Sequence, residues 1–222
     1  MSTNDTVLVP APQTRVVVWD PLVRSGHWAL AAAFAIAYVT AEEEAGTPDA
    51  LHVWSGYAVG GIVVLRVLWG FVGPRHARFS DFVCGPSSAL RYLADSIFGR
   101  AKRYLGHSPA GGTMIIALLA CLAGTVATGI LAYGEHGKGP LAAGGAIVSR
   151  AAYAEDNTAE HNTVQKGPAE GTKSMVGDLH GALANITLGL VVLHILGVGL
   201  ASFIHRENLI AAMINGRKRA ES

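Results

Sequence analysis

Charge is what this sequence has least of. Only 15% of its 222 residues are Asp, Glu, Lys or Arg, where a soluble domain carries about a quarter. Half of the residues are hydrophobic and the mean hydropathy is +0.35, so the composition belongs to the membrane class. The net charge of only +1 says little about partners; for a chain of this membrane composition no nucleic-acid partner is expected. Cysteine is nearly absent. Cys84 and Cys121 lie far apart and form no C-x-x-C pair and no zinc spacing, and no C-x-x-C-H occurs, which excludes a covalently attached c-type haem. There is no internal repeat.

What is present is apolar length. Crossing a bilayer takes about 20 apolar residues, and four segments supply them: 22–41, 51–72, 112–133 and 179–204. The expected fold class is all-α, an integral membrane four-helix bundle. The first span is the weakest, because Arg24 and His27 sit in its opening turns. A cleaved signal peptide, with Arg24 before an apolar 28–41 stretch, is the rival reading; the long polar lead argues against it.

The loops set the orientation through the excess of Lys and Arg on the cytoplasmic side. Residues 73–111 carry six Lys/Arg and two acids, and the 205–222 tail carries four Lys/Arg, including Arg217, Lys218 and Arg219. The 42–50 loop carries Glu42, Glu43, Glu44 and Asp49 with no base, and 134–178 carries four Lys/Arg against six acids. The organisation expected is a cytoplasmic N-terminal segment (1–21), a four-helix transmembrane domain (22–204) with a cytoplasmic 73–111 loop and a periplasmic 134–178 loop, and a basic cytoplasmic tail (205–222). Both termini then face the cytoplasm of a bacterial inner membrane. Within 86–98, Leu90, Leu93, Ile97 and Phe98 share one helical face and predict a short interfacial helix. The long 134–178 loop has room for a small cap or a segment that orders on a partner.

Ionisable residues inside spans are costly and are functional candidates by default. His180 and His194 stand 14 residues apart, four turns of helix, so both point to one face about 21 Å apart along the axis. His52 opens the second span at the depth of His180, and His27 lies 14 residues before Ala41, at the depth of His194. The geometry pairs His52 with His180 on the outside and His27 with His194 on the inside. Two imidazoles facing across a bundle suit the axial positions of a haem iron. His52, Gly56 and Gly60 follow one helical face, and glycine lets a broad ring approach the backbone. Ala31 and Ala35 follow His27, and Ala184 follows His180, in the same way. Imidazole also suits zinc or copper, but no Asp, Glu or Cys accompanies these histidines within the spans, and zinc generally takes three or four protein ligands.

Arg66, 14 residues after His52, is either a snorkelling interfacial cation or a partner for a haem propionate. Arg24 is a second candidate at that depth, and Lys173 is the nearest basic residue before His180. His205 reads as interfacial. His76 and His107 in one loop, and His136 and His161 in the other, read as solvated.

Several stretches together resemble the bacterial cytochrome b561 family, including the cytochrome b subunits of membrane-bound nickel-iron hydrogenases. They are Val18-Trp-Asp-Pro-Leu-Val-Arg-Ser-Gly-His27-Trp28, Leu51-His52-Val-Trp-Ser-Gly56, Arg103-Tyr-Leu-Gly-His-Ser-Pro-Ala-Gly111, His180-Gly-Ala-Leu-Ala-Asn185, His194, and His205-Arg-Glu-Asn-Leu-Ile with Gly216. The resemblance runs from about residue 15 almost to the end. It implies two b-type haems with bis-histidine ligation, the ligands mapping onto His27, His52, His180 and His194. It also implies electron exchange between the quinone pool and a periplasmic partner, a c-type cytochrome or a dehydrogenase or hydrogenase. The long 134–178 loop departs from the shortest members of the family.

An electron-transfer subunit is therefore the leading expectation. A superoxide:quinone oxidoreductase acting without a protein partner is a second reading, although the acidic outer loops do not attract an anion. A non-redox membrane protein whose histidines bind zinc is a third.

Overall fold

The computed structural model describes residues 15–41, 43–44, 47–142 and 175–220. A strand β1 (Arg15–Val17) leads into helix α1 (Pro21–Val39), and a tight β2 (Glu43–Glu44)–β3 (Thr47–Pro48) hairpin leads into α2 (Ala50–Val72). A 3-10 turn at Arg75–Ala77, α3 (Phe79–Phe82) and α4 (Pro86–Ile97) precede α5 (Pro109–Glu135). After α6 (Met175–Ile204) come α7 (Leu209–Asn215) and β4 (Arg217–Arg219). Four of these helices, α1, α2, α5 and α6, are long and apolar enough to cross a membrane, in agreement with the four spans expected.

The ends of these helices follow from their caps. Asp20 accepts a hydrogen bond from the Val23 amide at 3.0 Å, with Pro21 at the first helical position, the pairing that starts a helix most firmly. Ser108 does the same for α5 through the Gly111 amide at 3.2 Å, with Pro109 behind it, so that helix begins three residues before the expected 112. Ile204 ends α6 as expected, but the helix begins at Met175 rather than 179.

The helices pair as α1–α2 and α5–α6, and α2–α5 packing joins the two pairs. The buried core comprises Ala33, Val59, Val63 and Leu122, with Leu30, Phe34, Val67, Leu119 and Val126 against it. All nine belong to α1, α2 or α5. Among the described residues of α6, Thr187 alone is buried. The fourth span therefore leans on α5 and stands off from α1 and α2. A span that leaves Leu193, Ile195, Leu196 and Phe203 exposed suits a lipid surround, where apolar side chains need no cover.

The segments beyond the spans at the end where α1 begins and α6 finishes are tied together. β1 pairs antiparallel with β4, matching Val16 to Lys218. Val18 and Trp19 amides donate to the Gly216 carbonyl at 2.8 and 3.2 Å, and Gly216 closes α7 in the left-handed conformation at φ 77°. Glu207 accepts from the Arg103 guanidinium at 3.1 Å and from the Arg219 amide at 3.0 Å, with the Lys218 ammonium 3.9 Å away. Lys218 donates to the Tyr104 and Leu105 carbonyls at 3.1 and 3.0 Å. Burial lowers the Lys218 pKa. Burial alone would raise that of Glu207, but its hydrogen bonds and the nearby cations hold it below the usual range. The last basic cluster is thus folded into a cap, with Lys218 only 6% exposed. Helix α4 forms as expected, with Leu90, Leu93 and Phe98 exposed; the side chain of Ile97 lies outside the described residues.

Candidate metal centres between the helices

The space between α6 and the α1–α2 pair is spanned by histidines. His27 of α1 faces His194 of α6 with ring centres 6.3 Å apart, and His52 of α2 faces His180 of α6 at 6.0 Å. Two metal–nitrogen bonds of about 2.0 Å, plus the distance from each nitrogen to its ring centre, give roughly 6 Å. Both pairs are therefore spaced for one metal ion between two imidazoles. The ring planes are 54° apart in the first pair and 88° in the second.

The second pair is held through its outer nitrogens. His52 Nδ1 donates to the Ala37 carbonyl at 2.8 Å, an oxygen in the last turn of α1 that has no helical amide left to accept from. His180 Nδ1 donates to the Thr125 carbonyl of α5 at 2.9 Å. A proton on each Nδ1 leaves the Nε2 lone pair for a metal. In the first pair, His27 Nδ1 is buried without a hydrogen-bond partner, and the Trp28 ring stands nearly perpendicular to the His27 ring with centres 5.2 Å apart. Tyr38 of α1 donates to Asn185 of α6 at 2.8 Å and bridges the same interhelical space.

The surroundings fit a flat macrocycle better than a bare ion. A methyl group added at Gly56, one turn below His52, would meet nothing within 4 Å, so the bundle is open there. Gly60 has a different position: a methyl group there would come 3.0 Å from Val126 of α5, so its bare backbone serves helix packing. Two cations, Arg66 of α2 and Arg24, one turn before His27 on α1, have unfilled donors. Arg66 Nη1 is buried without a partner, while its guanidinium lies 5.3 Å from the Phe79 ring centre. Arg24 donates from Nη1 to the Ile214 carbonyl at 2.6 Å, but its Nε has no partner. Buried, unpaired N–H groups are costly, and the carboxylates of a haem propionate would satisfy them. Among the described residues, no cluster of three or more His, Cys, Asp or Glu could hold an ion, which is the arrangement zinc requires.

The other histidines divide. His107, expected to be solvated, is not. It is packed between the rings of Trp19 at 4.5 Å and Phe82 at 4.4 Å, its Nδ1 is buried without a partner, and burial, reinforced by Arg66 and Lys218, lowers its pKa to about 3. Loop position and composition gave no sign of this, because the burying partners come from the N-terminal segment and α3. His76 pairs with Asp81 at 3.2 Å. His136 is exposed and bonded to its own helix at Ala132. His205 lies 3.3 Å from the Tyr92 hydroxyl, and burial, Arg103 and Lys218 lower its pKa. His161 and Lys173 lie outside the described residues.

Sequence reasoning also missed Thr125, Thr128 and Gly129 of α5, which touch His180. A Gly-x-x-x-Thr-Gly run in an apolar helix reads as helix packing, and only the neighbouring helix reveals the histidine against it.

These features define a class: a four-span membrane protein with two facing histidine pairs at different depths. The model of the prokaryotic cytochrome b561 family matches residues 18–216, and the chain belongs to that family. Its members are membrane b-type cytochromes that bind haem and transfer electrons. No curated protein and no solved structure matches the chain.

Proposed function

We propose that the chain holds two b-type haems, one between His27 and His194 and one between His52 and His180, and passes electrons between the quinone pool and a periplasmic redox partner, either a c-type cytochrome or a dehydrogenase or hydrogenase. The observation that carries this reading is the pair of facing imidazoles, 6.3 and 6.0 Å apart, at each of two depths. A haem iron between two imidazoles exchanges one electron and leaves no open position for a substrate.

The residues have distinct tasks in this reading. His52 and His180 present Nε2 to the metal because backbone carbonyls hold Nδ1. Arg66 and Arg24 neutralise the propionates of the haem at His27 and His194. Gly56 leaves room for the macrocycle beside His52. The charge asymmetry of the loops supports an orientation with the His27–His194 pair and both termini on the cytoplasmic side and the His52–His180 pair on the periplasmic side. In this reading the 134–178 loop faces the periplasm, the side from which a redox partner would approach. The transmembrane domain comprises 22–204, between the 1–21 segment and the 205–222 tail.

Stopped-flow mixing of the purified, oxidised protein with a short-chain quinol tests the quinone arm. Haem reduction that saturates with quinol concentration is expected. Reduction no faster than in protein-free haem controls would contradict it.

A further inference from the structure

The His180 ring rests on one short stretch of α5. Its Nδ1 lies 2.9 Å from the Thr125 carbonyl and 3.4 Å from the Thr128 hydroxyl. A methyl group at Gly129 would stand 2.9 Å from His180 Cε1 and 3.2 Å from Nδ1, a distance that carbon atoms do not tolerate without a shift. The ladder of an α-helix pairs the Thr125 carbonyl with the amide of residue 129, so Gly129 stands directly over the oxygen that His180 reaches. The Thr128 hydroxyl lies 2.8 Å from the Gly124 carbonyl, to which its one proton is best placed to donate, and 3.0 Å from the Thr125 carbonyl. The ring can reach a carbonyl already engaged in the helix only where the next turn has no side chain.

We propose that Gly129 is a positioning residue, and that with Thr128 it forms the seat that fixes the plane in which His180 presents Nε2. This rests on His180 being an axial ligand. The plane matters because the two rings of this pair stand 88° apart, against 54° in the other pair. The mutual angle of two axial imidazoles governs the electronic anisotropy of a low-spin iron, and the hydrogen bond at Nδ1 governs ligand basicity. An alanine at 129 pushes the ring off the Thr125 carbonyl, which alters both. His27 and His194 do not touch this seat, so the effect is confined to one haem.

The test compares wild type, Gly129→Ala, Thr128→Val and Gly124→Ala by low-temperature EPR and by potentiometric titration of both haems. Gly124→Ala is the control, since a methyl group there meets Leu183 at an ordinary 3.4 Å. We expect Gly129→Ala to change the EPR signal and the midpoint potential of the His52–His180 haem alone, Thr128→Val to shift that same potential less, and Gly124→Ala to change neither haem. An unchanged His52–His180 haem in Gly129→Ala overturns the proposal. If Gly129→Ala loses both haems, Thr128→Val decides: a shift confined to one haem supports the seat, and no shift overturns it. A wild type without two haems defeats the functional reading itself, whereas two haems indifferent to these substitutions defeat only this inference.

Discussion

At the scale of the residue, the same type serves different ends according to what surrounds it. His27, His52, His180 and His194 face one another across open interhelical space, while His107 is wedged between two aromatic rings. The four were legible in the sequence because helical periodicity fixes depth and face from spacing alone. His107 was not, because its burial depends on which loops fold over it. Arg66 carries a prediction at this scale. A cation beside a haem disfavours the more positive ferric state, so Arg66→Gln lowers the midpoint potential of the His27–His194 haem. The expected shift is on the order of 1 kcal/mol, or some tens of millivolts. Redox titration of the variant checks it, and an unchanged or raised potential removes Arg66 from the site.

At the scale of the element, the spans could be read from the sequence and the cap could not. Apolar length identifies a span without reference to the rest of the fold. Pairing of Arg15–Val17 with Arg217–Arg219 joins the two ends of the sequence, and no local pattern announces it. Motifs that looked functional divide here. Asp20 caps α1 and accepts from Trp69 of α2 at 3.4 Å; Arg103, Glu207 and Gly216 hold the cap together. Glu207→Ala leaves Arg103 and Lys218 half-buried or buried without their carboxylate, and is expected to cost about 3 kcal/mol of stability. A lowered melting temperature in detergent, with both haem sites intact at low temperature, would show it.

The cap also carries a pH dependence. His107 protonates near 6.5 when unfolded but only at about 3 in the folded chain, so between those values the unfolded state binds the extra proton. Stability therefore falls as pH drops through this window, by at most about 1.4 kcal/mol per pH unit. His107→Gln is expected to flatten that slope, as followed by melting temperature against pH; an unaltered acid limb would mean that His107 is not the titrating group.

At the scale of the whole molecule, the division of labour lies between a three-helix core and a fourth span that packs on α5. Helices α1, α2 and α5 share the apolar core, while α6 supplies one histidine to each pair and a single buried threonine. On the side away from α5, α6 meets α1 and α2 at the two histidine pairs and the Tyr38–Asn185 bond, which is where the proposed haems would sit. Haem content is therefore the decisive property. The most direct measurement is pyridine-haemochrome quantitation with reduced-minus-oxidised spectra on the purified chain and on His27→Ala, His52→Ala, His180→Ala and His194→Ala. The prediction is two b-type haems in the wild type, with His27→Ala and His194→Ala damaging one haem and His52→Ala and His180→Ala the other. A single haem in the wild type, or losses that do not follow these pairs, would contradict it.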